Sequence, residues 1–362
     1  MGRLSRYLLR LFAADTLVLL AVAAILLFLY RTLRLFDGIA AKGEGLLTLI
    51  GQSALGMPEI LPVFASVCIG AGLGRTLRSL QSTGELQIIH SSRLSGTLSR
   101  AVFYYALLAA LAVLVISHVI EPISSRLSSE WSARITADFV GRSLVPHKFV
   151  EVTDGVTLVI GSRDRDGAVG DFFADDRRSP ETRRTYISKS AEISQDEQGY
   201  VLQLRDGVVQ YMTAEGELST ISFDRYDLAV DRLTGETEVK DTVALTTSID
   251  FFLSWLNTGQ WPSGAVKELA QRSFEGLRVL AICLLTAAIG AFPSGARRRF
   301  RFPIELTVLA ASIAERVITS NAPVRGLISE ATGSLVLLLI GAIILIVQLR
   351  GFRPVHSRRA VA

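Results

Sequence analysis

The sequence has 362 residues, 49% of them apolar, and a formal charge of +4; the length suggests about two or three folding units, and the apolar share is high for a soluble chain. The charge is divided: residues 122–265 carry 15 Lys and Arg against 23 Asp and Glu, a net of −8, and the remainder carries 23 against 11, a net of +12. The basic residues stand at the edges of apolar runs and not on one soluble face, which argues against nucleic acid and for a membrane separating two unlike compartments.

A first apolar span runs from about Leu11 to Tyr30, with Asp15 near its start. Arg3, Arg6 and Arg10 precede it as they would in a signal peptide, but no small-residue cleavage site closes it, so a retained helix is expected. The second span, Leu46 to Gly74, is longer than a bilayer needs and carries Met57, Pro58, Glu59 and Pro62 near its centre. A proline kink covered by neighbouring helices is expected there, with Glu59 as an intramembrane polar residue facing inward.

Arg75 to Arg100 is a polar, basic interval between two spans. Ser82 and Glu85 fit a capping box, which predicts a short helix over about 82–95. Leu86, Ile88, Ile89 and Leu94 give it an apolar side, and Glu85, His90 and Arg93 leave it polar elsewhere, as suits a helix on a membrane face or in a partner's groove. The third span follows, about Ala101 to Ile120, and is expected to end at Glu121 and Pro122.

From 122 the period changes. A helical extension comes first, and then short runs rich in β-branched and aromatic residues: Val156–Ile160, Thr185–Ile193, Tyr200–Leu204, Val208–Met212 and Leu218–Val230. Asp154-Gly155, Asp166-Gly167, Asp206-Gly207 and Glu215-Gly216 read as turns between them, the pattern of an all-β sandwich or jelly roll. Ser248 to Gly276 looks helical again. Three further spans close the chain: about Leu277–Phe292, Ile304–Ile318, diluted by Glu305, Glu315 and Arg316, and Leu335–Val347.

The expected fold class is thus an α-helical membrane protein of six transmembrane helices with an inserted all-β, jelly-roll-like domain. The expected domains are 1–121 with the polar helix at about 82–95, 122–265 as the β domain with helical linkers, and 266–362 ending in a basic tail. Fifteen basic residues of the short segments fall on one side and four (Arg31, Arg34, Lys42, Arg325) on the other. The positive-inside rule then places both termini and Arg75–Arg100 in the cytoplasm and the β domain outside.

Chemistry is sparse. The chain has no Gly-x-x-x-x-Gly-Lys-Ser/Thr loop, no H-E-x-x-H and no G-x-S-x-G, so it is expected neither to bind and split ATP itself nor to be an enzyme of those classes. Cys68 and Cys283 lie in apolar runs and the four histidines are scattered, so neither a metal nor another cofactor is expected. Arg31 and Arg34 lie three apart on one helix face at the far end of span one. They read either as snorkelling anchors or as a pair binding the phosphates of an anionic lipid. A membrane-anchored scaffold or sensor, with an outer β domain that binds a ligand, fits the same layout. An intramembrane hydrolase using His118 or Glu59 has no nucleophile, base and orienter in one layer.

The sequence resembles the YjgP/YjgQ family of lipopolysaccharide export permeases, its LptF branch more closely than its LptG branch. The likeness rests on Arg6-Tyr7-Leu8, Arg31-x-x-Arg34, Met57-Pro58-Glu59, Gly84-Glu85-Leu86 to His90 with Leu94-Ser95, Ser124-Ser125-Arg126, Leu204-Arg205-Asp206-Gly207, Phe223-x-x-Tyr226 and Glu268-x-x-x-Arg272. Two departures stand out: Arg93 where the family usually has Gly, and Gly276 where it often has Pro. The resemblance implies a permease subunit of an ABC exporter in a Gram-negative inner membrane, paired with an LptG-like permease over a dimer of an LptB-like ATPase. It implies that lipopolysaccharide is taken from the outer leaflet and passed through a periplasmic β domain to LptC-like and LptA-like proteins. It also implies that Glu85, Leu86, Ile89 and His90 belong to the helix that docks in the ATPase, and that Arg31 and Arg34 face the lipid's phosphates.

Overall fold

The computed structural model describes residues 2–41, 45–143, 146–163, 169–179, 181–196, 199–213, 216–229, 242–292, 303–321 and 326–351. Two compact units divide the chain: Met1–Arg31, Gly56–Ser125 and Thr242–Ala362 form a helical unit, and Thr32–Leu55 and Arg126–Asp241 form the other, which contains the β sheet.

In the helical unit, α1 (Arg3–Ala41) packs its first half against α3 (Met57–Ser82) and α5 (Ser95–Val115). Leu8, Phe12, Leu73, Leu77, Leu98 and Ala101 are nearly inaccessible. Asp15, the charge that interrupts the first apolar run, accepts a 2.7 Å hydrogen bond from Thr76. Thr16 and Tyr105 share a 2.5 Å bond, and the Tyr105 hydroxyl also reaches the Ile69 carbonyl at 3.1 Å. Polar groups buried among apolar helices are thus satisfied pairwise, as a low-dielectric interior requires. Gly72 lets α1 approach: a Cβ there would meet Thr16 side-chain and backbone atoms inside 3 Å.

Beyond Thr16 the side chains of α1 turn outward. Leu17, Val18, Val22, Ile25, Leu26 and Leu29 are all exposed. Such an apolar surface belongs in lipid or against a partner and not in water.

The second and third spans differ from expectation. Residues 46–74 do not form one kinked helix: α2 (Leu46–Leu55) stops at Gly56, and α3 begins with Pro58 in its first turn, where the missing N–H is unpaired in any case. The third helix does not stop at Glu121-Pro122. It continues through a π segment (Ile116–Ile120) into α6 (Glu121–Ser143), with the Glu121 N–H bonded to the Ile116 carbonyl in the wide i→i−5 pattern. A wide turn absorbs the ladder disruption that a proline in mid-helix imposes.

The return to the helical unit is made by α7 (Thr242–Leu245), α8 (Ser248–Thr258) and α9 (Ala265–Gly290), followed by α10 (Ile304–Ser320) and α11 (Leu327–Gly351). Ala281, Ile282, Leu285, Val308 and Leu337 form the core shared by the last three. Among the described residues five helices are long and apolar enough to cross a membrane, within Arg3–Phe36, Met57–Ser82, Ser95–Ile135, Ala265–Gly290 and Ile328–Arg350. The expected fifth span, α10, has 17 residues and contains Glu305, Glu315 and Arg316.

In the second unit, Gly51 of α2 abuts Trp131 of α6. The inserted domain is all-β and antiparallel. Its described strands are β1 (Val150–Thr153), β2 (Val156–Val159), β3 (Ser162–Arg163), β4 (Val169–Asp176), β5 (Thr182–Asp196), β6 (Gly199–Thr213) and β7 (Leu218–Ala229). The main path is β1-β2-β4-β5-β6-β7, with β3 paired to β4, so the strands follow the sequence as a meander. Gly155 and Gly216, both at positive φ, make turns as expected. Asp206-Gly207 does not: it lies inside β6, joining two runs read as separate strands. Asp166-Gly167 lies outside the described residues.

Asp206 stands opposite Lys189 and Asp224, and Lys189 opposite Asp171, in the continuous registers of β4 to β7. Asp171 and Asp206 have φ of 50° and 51°. Across this row the inward side chains change parity, from Phe172, Ala174, Tyr186, Ser188 and Val209 on one side to Val169, Ala191, Leu202, Leu204 and Leu228 on the other. One residue per strand out of alternation lets the sheet bend while both halves bury the same face.

Candidate functional site

The polar interval yields α4 (Glu85–Ser91), shorter than the expected 82–95. The capping box is not formed. Gly84, at φ 80°, occupies the N-cap without a side-chain bond, and Ser82 Oγ donates to the Ser79 carbonyl at 2.8 Å. Thr83 Oγ1 takes up the Glu85 carboxylate instead, at 3.3 Å. A left-handed glycine turns the chain so sharply out of α3 that Ser82 is still inside the preceding helix.

The faces of α4 are unequal. Leu86 and Ile89 are 0% and 7% exposed and belong to the chain's own core with Leu8, Leu80 and Leu98. Ile88 is 63% exposed, and Gln87 is exposed beside the half-buried Glu85. Leu94 lies past the helix, and Arg93 before it takes φ 56°, a left-handed conformation that costs a side-chain-bearing residue about 1–2 kcal/mol. His90 is half-buried, with Nδ1 2.9 Å from the Leu86 carbonyl and its ring 6.1 Å from Phe292. Side chains offered outward are therefore Glu85, Gln87 and Ile88; Leu86 and Ile89 secure the helix from beneath.

At the opposite end of the helical unit, Glu59 lies exposed in the first turn of α3. The break at Gly56 moves it from the middle of a long span to a helix N-terminus, where the macrodipole favours an anion. Arg31 and Arg34 are not equivalent heads. Arg34 is exposed, while the Arg31 guanidinium fills the space beside Gly56 that any side chain there would occupy. The Arg31 Nε is buried without a hydrogen-bond partner.

Two polar clusters escaped the sequence reading as sites. Arg272 donates to Glu268 at 3.1 Å, to the Thr246 and Ala244 carbonyls at 2.9 Å each and to Ser248 Oγ at 3.3 Å. His118 meets Ser248 Oγ at 2.7 Å through Nδ1 and Ser273 Oγ at 3.4 Å through Nε2. Serines face both ring nitrogens, and this is a clamp on the returning segment, without the carboxylate orienter of a hydrolytic relay. The i,i+4 spacing of Glu268 and Arg272 was its signal in the sequence.

The second cluster joins α9, α10 and α11. Arg278 Nε donates to Glu315 at 2.8 Å and its Nη1 to Glu275, and Ser334 Oγ donates to Glu315 at 2.9 Å. Glu315 is fully buried. Beside it a cavity of ≈ 760 Å³ is lined by Gln271, Glu275, Arg278, Arg316 and Glu330. Opposite charges in two apolar spans, costly unless paired, were its signal. No cluster of three or more His, Cys, Asp or Glu able to hold a metal occurs among the described residues.

Within the helical unit the described residues thus place a projecting polar helix at one end and charged clamps at the other. A family profile described as "Lipopolysaccharide export system permease LptF/LptG" matches residues 6–350. The chain belongs to this family. The lipopolysaccharide export system permease protein LptF of Escherichia coli (strain K12) is 27% identical over 208 residues, 56% of this chain and 54% of that protein. LptF of Shigella flexneri matches to the same extent. The matched stretch spans about half the length of these curated relatives. Membership of this family and five described helices long and apolar enough to cross a bilayer make the chain a membrane protein.

Proposed function

We propose that the protein is the LptF-type subunit of an ABC exporter in a Gram-negative inner membrane. It pairs with an LptG-like permease, draws force from a dimer of an LptB-like ATPase, and takes lipopolysaccharide from the outer leaflet. The β domain, on the periplasmic side, hands the lipid to LptC-like and LptA-like proteins. In this reading 1–121 and 266–362 are the membrane halves with both termini cytoplasmic, and 122–265 is the periplasmic insertion.

The observation that carries the reading is the asymmetry of α4. It is rooted by Leu86 and Ile89 and presents Glu85, Gln87 and Ile88 at the junction of two membrane helices. Exposing acyl chains costs about 0.8 kcal/mol per CH₂, so extraction needs an external source of work. A chain without a phosphate-binding loop has to receive it through a contact. A projecting helix held rigidly to the bundle transmits a push without unfolding. Arg31 and Arg34, three apart on α1, supply cationic heads for lipid phosphate.

Glu85→Lys tests the coupling. Membrane insertion is expected to persist while co-purification of the ATPase and lipid-stimulated ATP hydrolysis fall to background. Wild-type association and transport in that variant would sink the assignment.

A further inference from the structure

We infer that α8 (Ser248–Thr258) is an interfacial helix, its outward face seated in the bilayer at the boundary between headgroups and acyl chains. The inference needs only a membrane-spanning chain and no part of the transport reading.

Ile249, Phe252, Leu253 and Leu256 recur at the spacing of one helix face. They are 57%, 51%, 49% and 58% exposed. The inward side holds a further apolar residue among polar ones: Phe251 is 2% exposed and lies under the Arg272 guanidinium, which is 6.0 Å from its ring. A surface helix in water turns one apolar face inward and a polar one outward; α8 keeps its apolar residues outward as well. Its one charge, Asp250, is spent on its own N-cap, where Asp250 N–H donates to Thr247 Oγ1 at 3.1 Å and Thr247 Oγ1 donates to the carboxylate at 2.7 Å.

Location decides what covers this face. Ser248 is bonded to His118, inside the membrane helix Ser95–Ile135, and Phe251 is held by Arg272, inside the membrane helix Ala265–Gly290. Both tethers of α8 are therefore in bilayer-crossing helices. Val115, Ile120 and Ile123 on the first of these and Val266 on the second are exposed too, so both helices that tether α8 carry outward apolar side chains as it does. Trp255 and Trp261 stack with ring centroids 5.6 Å apart and planes at 15°, and tryptophan is the residue enriched where headgroups meet acyl chains. With no Lys or Arg on α8, its seating depends on apolar contact and not on anionic lipid, so salt is not expected to release it.

The test uses the full chain with Trp131→Phe, which leaves Trp255 and Trp261 as its tryptophans, in nanodiscs of zwitterionic phosphatidylcholine. Bromine placed on the acyl chains near the headgroup is expected to quench the emission strongly, and bromine near the chain ends less. Aqueous iodide should quench little, and high salt should change nothing. Strong iodide quenching without a bromine effect would place the face in water, and protection from both quenchers would mean that protein covers it; either overturns the inference. Phe252→Ser with Leu256→Ser is expected to shift quenching from bromine to iodide, and unchanged bromine quenching in that folded variant would also overturn it. The Trp131→Phe measurement stands even where the double variant fails to fold.

Discussion

Glu315 combines a charge with complete burial among apolar helices, and everything around it follows from that conflict. Arg278 and Ser334 bring donors from two other helices, and Gly333 allows the approach, since a Cβ there would lie 2.3 Å from the Glu315 carbonyl oxygen. Removing one member of such a pair strands the other, at about 3–5 kcal/mol, whereas replacing both by apolar residues is often close to neutral. Glu315→Ala is therefore expected to lower the thermal midpoint in nanodiscs markedly, and Arg278→Met with Glu315→Leu to restore most of it. Equal loss in both variants would show that the pair contributes through shape and not through charge. In the sequence Glu315 only weakened an apolar run, because its partner lies 37 positions away and pairing across helices leaves no local pattern.

Elements were legible where a single period governed them and obscure where a backbone detail did. The α4 helix was readable from its apolar residues; its start was not, because Gly84 at positive φ overrode the capping pair. Gly56 split the second span, and the π segment carried the third past Pro122; both depend on tertiary accommodation that propensity ignores. The β4–β5 hairpin illustrates a register-dependent site. Asp175, 3% exposed, accepts from Arg183 at 2.8 Å through both oxygens, from Arg177 at 2.6 Å and from Thr185 at 3.1 Å. Burial acts to raise its pKa, and the bonds from Arg183, Arg177 and Thr185 outweigh burial, leaving it below the ordinary carboxylate value. A carboxylate depressed on folding adds stability above its unfolded pKa of about 3.9 and loses it as the pH falls through the folded value. Acid unfolding of the full chain, followed by circular dichroism, is expected to weaken the β domain below about pH 4. Asp175→Asn should flatten that dependence and reduce stability at neutral pH; an unchanged acid profile would exclude Asp175 as its source.

At the scale of the chain, α1 begins in a packed core at Leu8 and Phe12 and runs out into bare apolar surface with two arginines near its far end. The sequence placed Arg31 and Arg34 together on one face, and the structure gives them different surroundings. Arg34→Glu is therefore expected to weaken photo-crosslinking to lipid phosphate at little cost in stability. Arg31→Glu should lower the thermal midpoint because its head fills the space beside Gly56. Matching losses of crosslinking with no change of midpoint in either variant would restore the equivalent pair. The row through Asp171, Lys189, Asp206 and Asp224 carries a different consequence. Substitution within it leaves the count of residues on each side intact, but deleting Asp206 alone would move one half of β6 a step along its neighbours. Leu202 and Leu204, or else Val209, would then point outward. The domain tolerates a change of letter at its crease and not a change of length.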